Sequence, residues 1–179
     1  MARSLSLGQG ERVPYPEPTS ASATAIGRAN RRTDTKAEVE LRRILHARGR
    51  RYRKDHLIRA GGLRTHADLA FTAVSLAVFV DGCFWHACPD HFWMPRANVA
   101  YWQPKTAANI AWDRQVDAAR AANGSSVLRV WEYVAATDAA TTVVEALVRL
   151  GHGPLGTDSA EGWATRAVTP LRVASSSRS

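Results

Sequence analysis

The segment DGCFWHACPDHFW, residues 81–93, contains both cysteines of the chain together with two histidines. Cys83, Cys88 and His91 follow the spacing C-x4-C-x2-H. Thiolate sulfur and imidazole nitrogen are the ligands that a tetrahedral zinc ion prefers, and short spacings allow one loop to surround the ion. This pattern indicates a structural zinc loop, with His86 as a candidate fourth ligand. The alternative is a pair of buried thiols beside a surface histidine.

Two acidic residues near this loop fall in predicted strands. Asp68 lies in the middle of one strand, where a carboxylate is unfavourable unless it meets a metal ion or a partner, and Asp81 ends the next strand. Both could bind one Mg2+, a cation that takes oxygen ligands, and His86 could then transfer a proton. The alternatives are a polar outer face for Asp68, a turn cap at Asp81–Gly82 and the zinc role for His86.

Phe84 and Trp85 are adjacent aromatic residues inside the loop. Consecutive side chains of an extended segment point in opposite directions, so both are hard to bury together. Either one ring belongs to the core while the other covers the site, or the two rings form a wedge that enters between the base pairs of DNA.

The surrounding pattern predicts a mixed α/β domain that would position these residues. Thr35 and Glu38 match a capping box at the start of a helix that Gly49 ends. Residues 67–72 and 75–80 predict two short strands joined by a tight turn. A helix over 105–122, a strand over 127–133 and a helix from Thr137 or Asp138 follow.

Length and composition limit the class of protein. The 179 residues suit an arm over residues 1–32, one domain over 33–150 and a loosely ordered tail over 151–179. The sequence has no membrane-spanning run, no secretory signal and too few cysteines for a disulfide framework, so we expect the cytoplasm. The net charge is +8, and residues 31–60 alone hold eleven Lys and Arg against four acidic residues. Such a concentration favours nucleic acid as the partner, the alternative being a solvated helix face.

Several segments of the sequence together resemble a known family. GCFWHACPDH (82–91) is similar to the signature of the very-short-patch-repair (Vsr) mismatch endonucleases. DTKAEVELRRILHARGRRYR (34–53) resembles the N-terminal helix of that family, and YWQPKTAANIAWDRQVD (101–117) with VLRVWE (127–132) resembles its later helix and strand. The resemblance covers roughly residues 28–150 and leaves both tails outside it.

The resemblance implies a restriction-endonuclease-like fold of the PD-(D/E)xK type, with a mixed central sheet flanked by helices. It also implies a Mg2+-dependent endonuclease that nicks one strand of double-stranded DNA beside a T:G mismatch. The site residues that it implies are Asp68 and the Val80 carbonyl as Mg2+ ligands, His86 as the catalytic histidine, Glu38 as the helix acid near the metal-bound water, Asp113 as a supporting acid, Phe84 and Trp85 as the wedge, and Cys83, Cys88 and His91 as ligands of a structural Zn2+. The basic residues Arg31, Arg32, Arg42 and Arg43 are candidates for binding phosphates.

The chain departs from the family pattern at three places. Asp81 stands where some members have a phosphate-contacting histidine, and an acid there favours a third Mg2+ ligand. Tyr133 stands where members have Cys or His as the last zinc ligand, so the zinc would be three-coordinate with water, would take another residue, or would be absent. The N-terminal arm also differs, which bears on the sequence context that is recognised.

Two other functions fit the same residues. One is a nicking nuclease with relaxed or different specificity, in phage defence or dependent on base modification. The other is a non-catalytic, zinc-stabilised DNA-binding module. We expect a monomer associated with the nucleoid, with mismatched double-stranded DNA as its partner and mismatch-repair proteins as further candidates.

Overall fold

A single mixed β-sheet forms the centre of the fold in the computed structural model, which describes residues 33–152 and 171–173. The strands are β1 (Arg53–Ala60), β2 (Leu63–Phe71), β3 (Leu76–Asp81), β4 (Ser126–Trp131) and β5 (Leu171–Val173), and they lie in that order. β1, β2 and β3 are antiparallel neighbours, whereas β3, β4 and β5 run parallel. The predicted class, an α/β fold with a mixed sheet flanked by helices, is confirmed at this level.

Three helices in the described residues cover the sheet: α1 (Lys36–Ala47), α2 (Val99–Ala122) and α3 (Ala136–Arg149). Leu41 of α1 and Val143 of α3 belong to one buried cluster, which includes Val78 of β3. Phe79 of β3 belongs to a second cluster with Val116 of α2. Because successive residues of a strand point to opposite faces, α1 and α3 cover one face and α2 covers the other.

The start of α1 follows the predicted capping box. The Thr35 hydroxyl oxygen accepts from the Glu38 backbone N–H (3.3 Å) and donates to the Glu38 carboxylate (2.9 Å). The same carboxylate also accepts from the Asp34 N–H (2.9 Å). The helix ends at Ala47, and Gly49 follows with a φ of 72°, a left-handed conformation that glycine adopts without strain. These bonds fix Glu38 at the first turn, facing the interior.

Several boundaries differ from the sequence-based expectations. The hairpin predicted at 67–72 and 75–80 is observed as β2 and β3, joined by a short 3-10 turn and by Ser75 with a φ of 50°. β1 is a further strand that the sequence pattern did not predict. Its charged residues obscure the alternation that is typical of an edge strand. α2 begins at Val99 rather than at 105, since the structure accommodates Pro104 inside the helix.

The ends of the chain are described only in part. β5 lies within the segment predicted as a loosely ordered tail, yet Leu171–Val173 pair in parallel with β4. The predicted arm over residues 1–32, with Arg31 and Arg32, and the rest of the tail lie outside the described residues. Within the described part, no helix is both long and apolar enough to span a membrane.

Candidate active site

Asp68 lies where the ladder between β2 and β3 stops. The strands pair from Phe71 with Leu76 to Leu69 with Val78, and the next hydrogen bond in this direction runs from the Val80 N–H to the Asp68 carboxylate (2.7 Å). The N–H and C=O of one strand residue point to the same side of the strand. The Val80 carbonyl therefore lies on the side of β3 that faces Asp68, as its predicted role requires.

The Asp68 carboxylate is half-buried and lacks a cationic partner in the described residues. Burial is the main reason that its pKa is raised to about 7, and the negative charges of Glu38 and Asp81 raise it further. The Val80 hydrogen bond and the charge of His86 act in the opposite direction. An oxygen donor held among other carboxylates is what a divalent cation such as Mg2+ would stabilise. The residues present therefore fit a divalent cation.

His86 forms a close pair with an acid from α2. The His86 Nδ1 atom lies 2.7 Å from an Asp113 carboxylate oxygen, and Asp113 is only 3% exposed. Burial alone lowers the pKa of His86, but the hydrogen bond to Asp113 and the charges of Asp81 and Asp113 outweigh it, so the pKa is raised. With Nδ1 donating to Asp113, the Nε2 atom is the ring position left for proton transfer.

Arg129 of β4 forms ion pairs with the acids around His86. Its Nη1 atom lies 2.9 Å from Asp81 and 3.1 Å from Asp113, and its Nε atom lies 3.1 Å from Asp117. The guanidinium is 3% exposed, and its central carbon lies 4.6 Å from the centre of the Phe79 ring. One buried cation thus holds three buried carboxylates, and through Asp113 it fixes the position of His86.

This network is where the structure places Asp81. Both Asp81 carboxylate oxygens are hydrogen-bonded by Arg129, and the nearer one lies 4.0 Å from the His86 Nδ1 atom. Asp81, His86 and Asp113 bring their donor atoms within 4.8 Å of one another. Arg129 supplies one positive charge to Asp81 and Asp113 together, and the contribution of Asp81 to a Mg2+ site stays a prediction.

The three predicted zinc ligands come together in the loop after β3. The donor atoms of Cys83, Cys88 and His91 all lie within 4.8 Å of one another, and the sulfur of Cys88 is 3.6 Å from the His91 Nδ1 atom. Burial, followed by Cys88 and Glu132, raises the pKa of Cys83 to about 12. The carboxylate of Glu132 accepts from the Cys83 backbone N–H (2.6 Å). Two thiols and one imidazole fit a zinc ion, which favours the thiolate form.

Tyr133 contacts this cluster through its ring. Its ring centre lies 4.2 Å from that of His91, and its hydroxyl donates to the Asp90 carboxylate (2.8 Å). The hydroxyl is therefore engaged with an acid of the same loop, and the fourth zinc ligand stays a matter for prediction.

Phe84 and Trp85 form part of a larger group of aromatic rings. The Phe84 ring centre lies 5.2 Å from that of Trp85 and 5.0 Å from that of Trp102, at the start of α2. Trp93, which is 68% exposed, lies 6.5 Å from Phe84. The Asn109 side-chain amide donates to the Trp85 carbonyl (2.8 Å) and so ties the loop to α2. The two predicted wedge residues are thus held half-buried beside further aromatic rings.

Comparison with known proteins supplies the family. A family model described as DNA mismatch endonuclease Vsr matches residues 18–91. The type II nicking enzyme V.NaeI of Lentzea aerocolonigenes is 47% identical over 140 residues, which is 78% of this chain and 84% of that protein. The chain belongs to the Vsr family.

Two other Vsr relatives are more distant. The type II nicking enzyme V.XorIIP of Xanthomonas oryzae pv. oryzae is 36% identical over 103 residues, 57% of this chain and 73% of that protein. The type II nicking enzyme V.NmeDIP of Neisseria meningitidis serogroup C is 34% identical over 108 residues, 58% of this chain and 68% of that protein. The Vsr resemblance found in the sequence is therefore confirmed.

The basic residues of this Vsr chain differ in their surroundings. Arg42 is half-buried, forms an ion pair with Asp34 and lies 3.7 Å from the Glu38 carboxylate, so it takes part in the start of α1. Arg43 is exposed. Lys54 of β1 lies 3.4 Å from Asp34. Arg43 is therefore a surface cation, whereas Arg42 is engaged with acids at the start of α1. The phosphate-binding role of both stays a prediction.

Arg129, Asp117 and Trp102 of this Vsr chain belong to the site but were not among the predicted residues. Arg129 could have been found, because a lone charge in the apolar run VLRVW requires buried partners. Asp117 follows Asp113 by four residues on a helix, so the two share a face. The position of Trp102 beside Phe84 depends on how the loop folds back on α2, which the spacing along the chain does not reveal.

Proposed function

We propose that this chain is a Mg2+-dependent DNA endonuclease that nicks one strand of double-stranded DNA beside a T:G mismatch. The observation that carries the proposal is the half-buried Asp68 carboxylate, without a cation partner in the described residues, next to the paired His86 and Asp113. The names of the relatives, type II nicking enzymes, support the reaction. A restriction-endonuclease-like fold of the PD-(D/E)xK type is part of the same proposal.

Asp68 and the Val80 carbonyl would hold the Mg2+, with Asp81 as a further candidate. When bound, such an ion polarises the scissile phosphate and stabilises the leaving oxygen. Glu38, fixed by its capping bonds, would orient the attacking water. His86 would move a proton at its Nε2 atom while Asp113 holds the Nδ1 proton.

Other residues would hold the DNA. Phe84 and Trp85 would enter the base stack, which costs least at a mismatch because less pairing is lost. Arg31, Arg32, Arg42 and Arg43 would bind phosphates without reading sequence. Zinc on Cys83, Cys88 and His91 would keep the aromatic loop rigid.

A second candidate is a nicking enzyme without preference for a mismatch, acting in phage defence or on modified DNA. The observation that favours it is that the relatives are named for nicking and not for a mismatch. A non-catalytic DNA-binding module agrees less well with the chain, because it gives no reason for the energetic cost of burying Asp68. The monomeric state, the mismatch-repair partners and the nucleoid location belong to the first proposal.

Strand-specific cleavage mapping tests these proposals. Duplexes that carry each mismatch, the matched sequence and a methylated sequence are incubated at one salt concentration with Mg2+ or with EDTA. We expect one nick beside the T:G pair, only with Mg2+. Equal nicking of matched duplexes would favour the second candidate, and no nicking of any duplex would contradict both.

Replacement of His86 by Ala serves as the chemical control for that experiment. A general acid–base contributes about 10²–10⁴-fold to a rate, so we expect a loss of this size in the nicking rate of bound DNA. Binding of the same duplex should change little, because His86 pairs with the buried acids and is not among the residues proposed to hold the DNA. An equal loss of binding would contradict the catalytic role.

A further inference from the structure

Two arginines stand directly opposite each other on the β1–β2 hairpin. Arg59 of β1 pairs with Arg64 of β2 in the antiparallel register, and both side chains are exposed. Like charges in opposite positions destabilise a strand pair. Within the described residues neither arginine takes part in an ion pair or a side-chain hydrogen bond. The free protein therefore holds two adjacent positive charges that an external anion would stabilise.

This arginine pair lies on the face of the hairpin that is turned away from α2. Ala67 is buried in the cluster beneath α2, so Arg64 and His66, three residues and one residue before it, point to the opposite face. Strict alternation ends at Asp68, whose carboxylate is turned toward the Val80 N–H of β3. Arg64 precedes Asp68 by four residues, so a ligand that reaches Asp68 over this face would also pass the arginine pair.

The charge of this surface comes from the arginines. His66, between Arg64 and Asp68, has its Nδ1 atom 3.0 Å from the Asp55 carboxylate, so that imidazole already has an acidic partner. Asp55 is the exposed acid of the hairpin, and it engages His66 rather than Arg59 or Arg64. The end of the hairpin near Gly61 and Gly62 therefore carries two arginines that no acid of the hairpin engages in the described residues.

We propose that Arg59 and Arg64 bind the phosphate backbone of the substrate DNA, at a distance from the nick that the strand geometry sets. Four residues along a strand span about 13 Å. One strand of duplex DNA carries a phosphate for about each 3.4 Å of its axis, so the contact falls about four base pairs from the scissile phosphate. This inference rests on the proposed nicking function, and it adds the surface that fixes where the duplex lies.

The binding test uses the full chain with a T:G duplex in buffer without Mg2+, and it measures affinity across a range of salt. The variants are the double Arg59→Ala/Arg64→Ala and the single Arg64→Glu. The matched control is Arg149→Ala, which removes an exposed cation at the end of α3. We expect the double variant to lower the slope of log K against log salt by about 2. The ratio of wild-type to double-variant affinity should then shrink about tenfold between about 50 mM and about 200 mM salt.

The Arg64→Glu variant separates binding from folding. Glu opposite Arg59 replaces a repulsive cross-strand pair with an attractive one, so its Tm should equal or exceed that of the wild type. Its DNA affinity should nevertheless fall at least as far as that of the double variant. Arg149→Ala should keep the wild-type affinity and salt slope.

Neutral methylphosphonate groups placed one at a time along the duplex locate the contact. A substitution about four base pairs from the nick should weaken the wild type and leave the double variant unchanged. Wild-type affinity and salt slope in both hairpin variants, with the wild type still nicking DNA, would overturn this inference alone. A wild type that neither binds nor nicks any duplex would overturn the proposed function, and the arginine contact with it.

Discussion

Two groups of acids lie close together in this fold and differ in how their charge is balanced. Asp81, Asp113 and Asp117 share the buried cation Arg129, at distances of 2.9 to 3.1 Å. Asp68 accepts one backbone hydrogen bond and forms no ion pair within the described residues. Each acid of the first group has a cationic partner inside the protein, whereas Asp68 has none among the described residues.

This difference distinguishes acids that stabilise the fold from the acid that is proposed to bind the metal ion. A buried carboxylate is stable when a cation and hydrogen bonds compensate for lost hydration. Arg129 does this for three acids, one of which holds His86. Asp68 has no such cation among the described residues, and the proposed function assigns that compensation to a metal ion.

The largest expected effect comes from removing the unbalanced charge. Asp68→Asn keeps the acceptor for the Val80 N–H but weakens cation binding, so the nicking rate should fall about a thousandfold or more. DNA binding should persist, and Asp138→Asn, an exposed acid of α3, should nick like the wild type. Unchanged nicking by Asp68→Asn would remove the basis of the comparison.

The same variant should change the pH dependence of stability in EDTA. The folded-state pKa of Asp68 is raised from 3.8 to about 7, so the folded protein binds more protons than the unfolded chain between these values. The stability that this group contributes is therefore present at low pH and is lost as pH rises toward 7. Tm of the wild type in EDTA should fall over this range more than that of Asp68→Asn, and Mg2+ should reverse the difference.

Removing the balancing cation should act on folding instead. Arg129→Met removes the cation that three buried carboxylates share, and breaking a buried pair in this way costs about 3–5 kcal/mol. Chemical denaturation should show the loss, while Arg149→Met at the surface should show almost none. If Arg129→Met kept its stability but lost nicking, the network would serve catalysis rather than folding.

The predicted zinc site would be a third kind of balance, in which the protein supplies two thiolates and the ion supplies the positive charge. Cys88→Ser should lower the zinc content measured by elemental analysis, whereas His46→Ala, an exposed histidine of α1, should keep it. Free zinc at about 100 times its Kd stabilises a fold by about 2.7 kcal/mol, so chelation should lower the free energy of unfolding by about this amount. A wild type free of zinc after growth in zinc-rich medium would contradict the metal.

The smallest expected effect concerns Glu38, whose charge contributes to the raised pKa of Asp68. Thr35→Ala removes one of its hydrogen bonds and an N-cap, and it should cost about 0.5–2 kcal/mol of unfolding free energy. The nicking rate should fall only slightly, since the Asp34 N–H still holds the carboxylate. A large loss of rate with a small loss of stability would contradict this expectation and would show that the Thr35 hydroxyl, rather than the Asp34 N–H, positions Glu38.

The sequence predicted the elements that depend on local pattern. The cap at Thr35 and the apolar runs of β3 and β4 are signals carried by neighbouring residues. The zinc-ligand candidates could also be predicted, because one short loop holds all three. β1 was missed because the charged residues of an edge strand face solvent and resemble those of a loop.

The partners of distant residues could not be predicted. Arg129 meets Asp81 only because β3 and β4 run parallel across a long helical connection, which places Asp81 beside Trp131 in register. Nothing local records that Asp113 would face His86 or that Trp102 would face Phe84. Such pairs depend on the packing of α2 against the sheet, and the sequence gives residue types there but no angles.

The loop after β3 is fastened to α2 at two successive turns of the helix. Asn109 holds the carbonyl of Trp85, and Asp113, four residues later, holds the ring of His86. Residues four apart on a helix lie one above the other, so the Trp85 backbone and the His86 ring are held by the same face of α2. Under the proposed function, DNA bound at Trp85 would also press on the segment that positions His86, and this would couple recognition of the base pair to alignment for cutting.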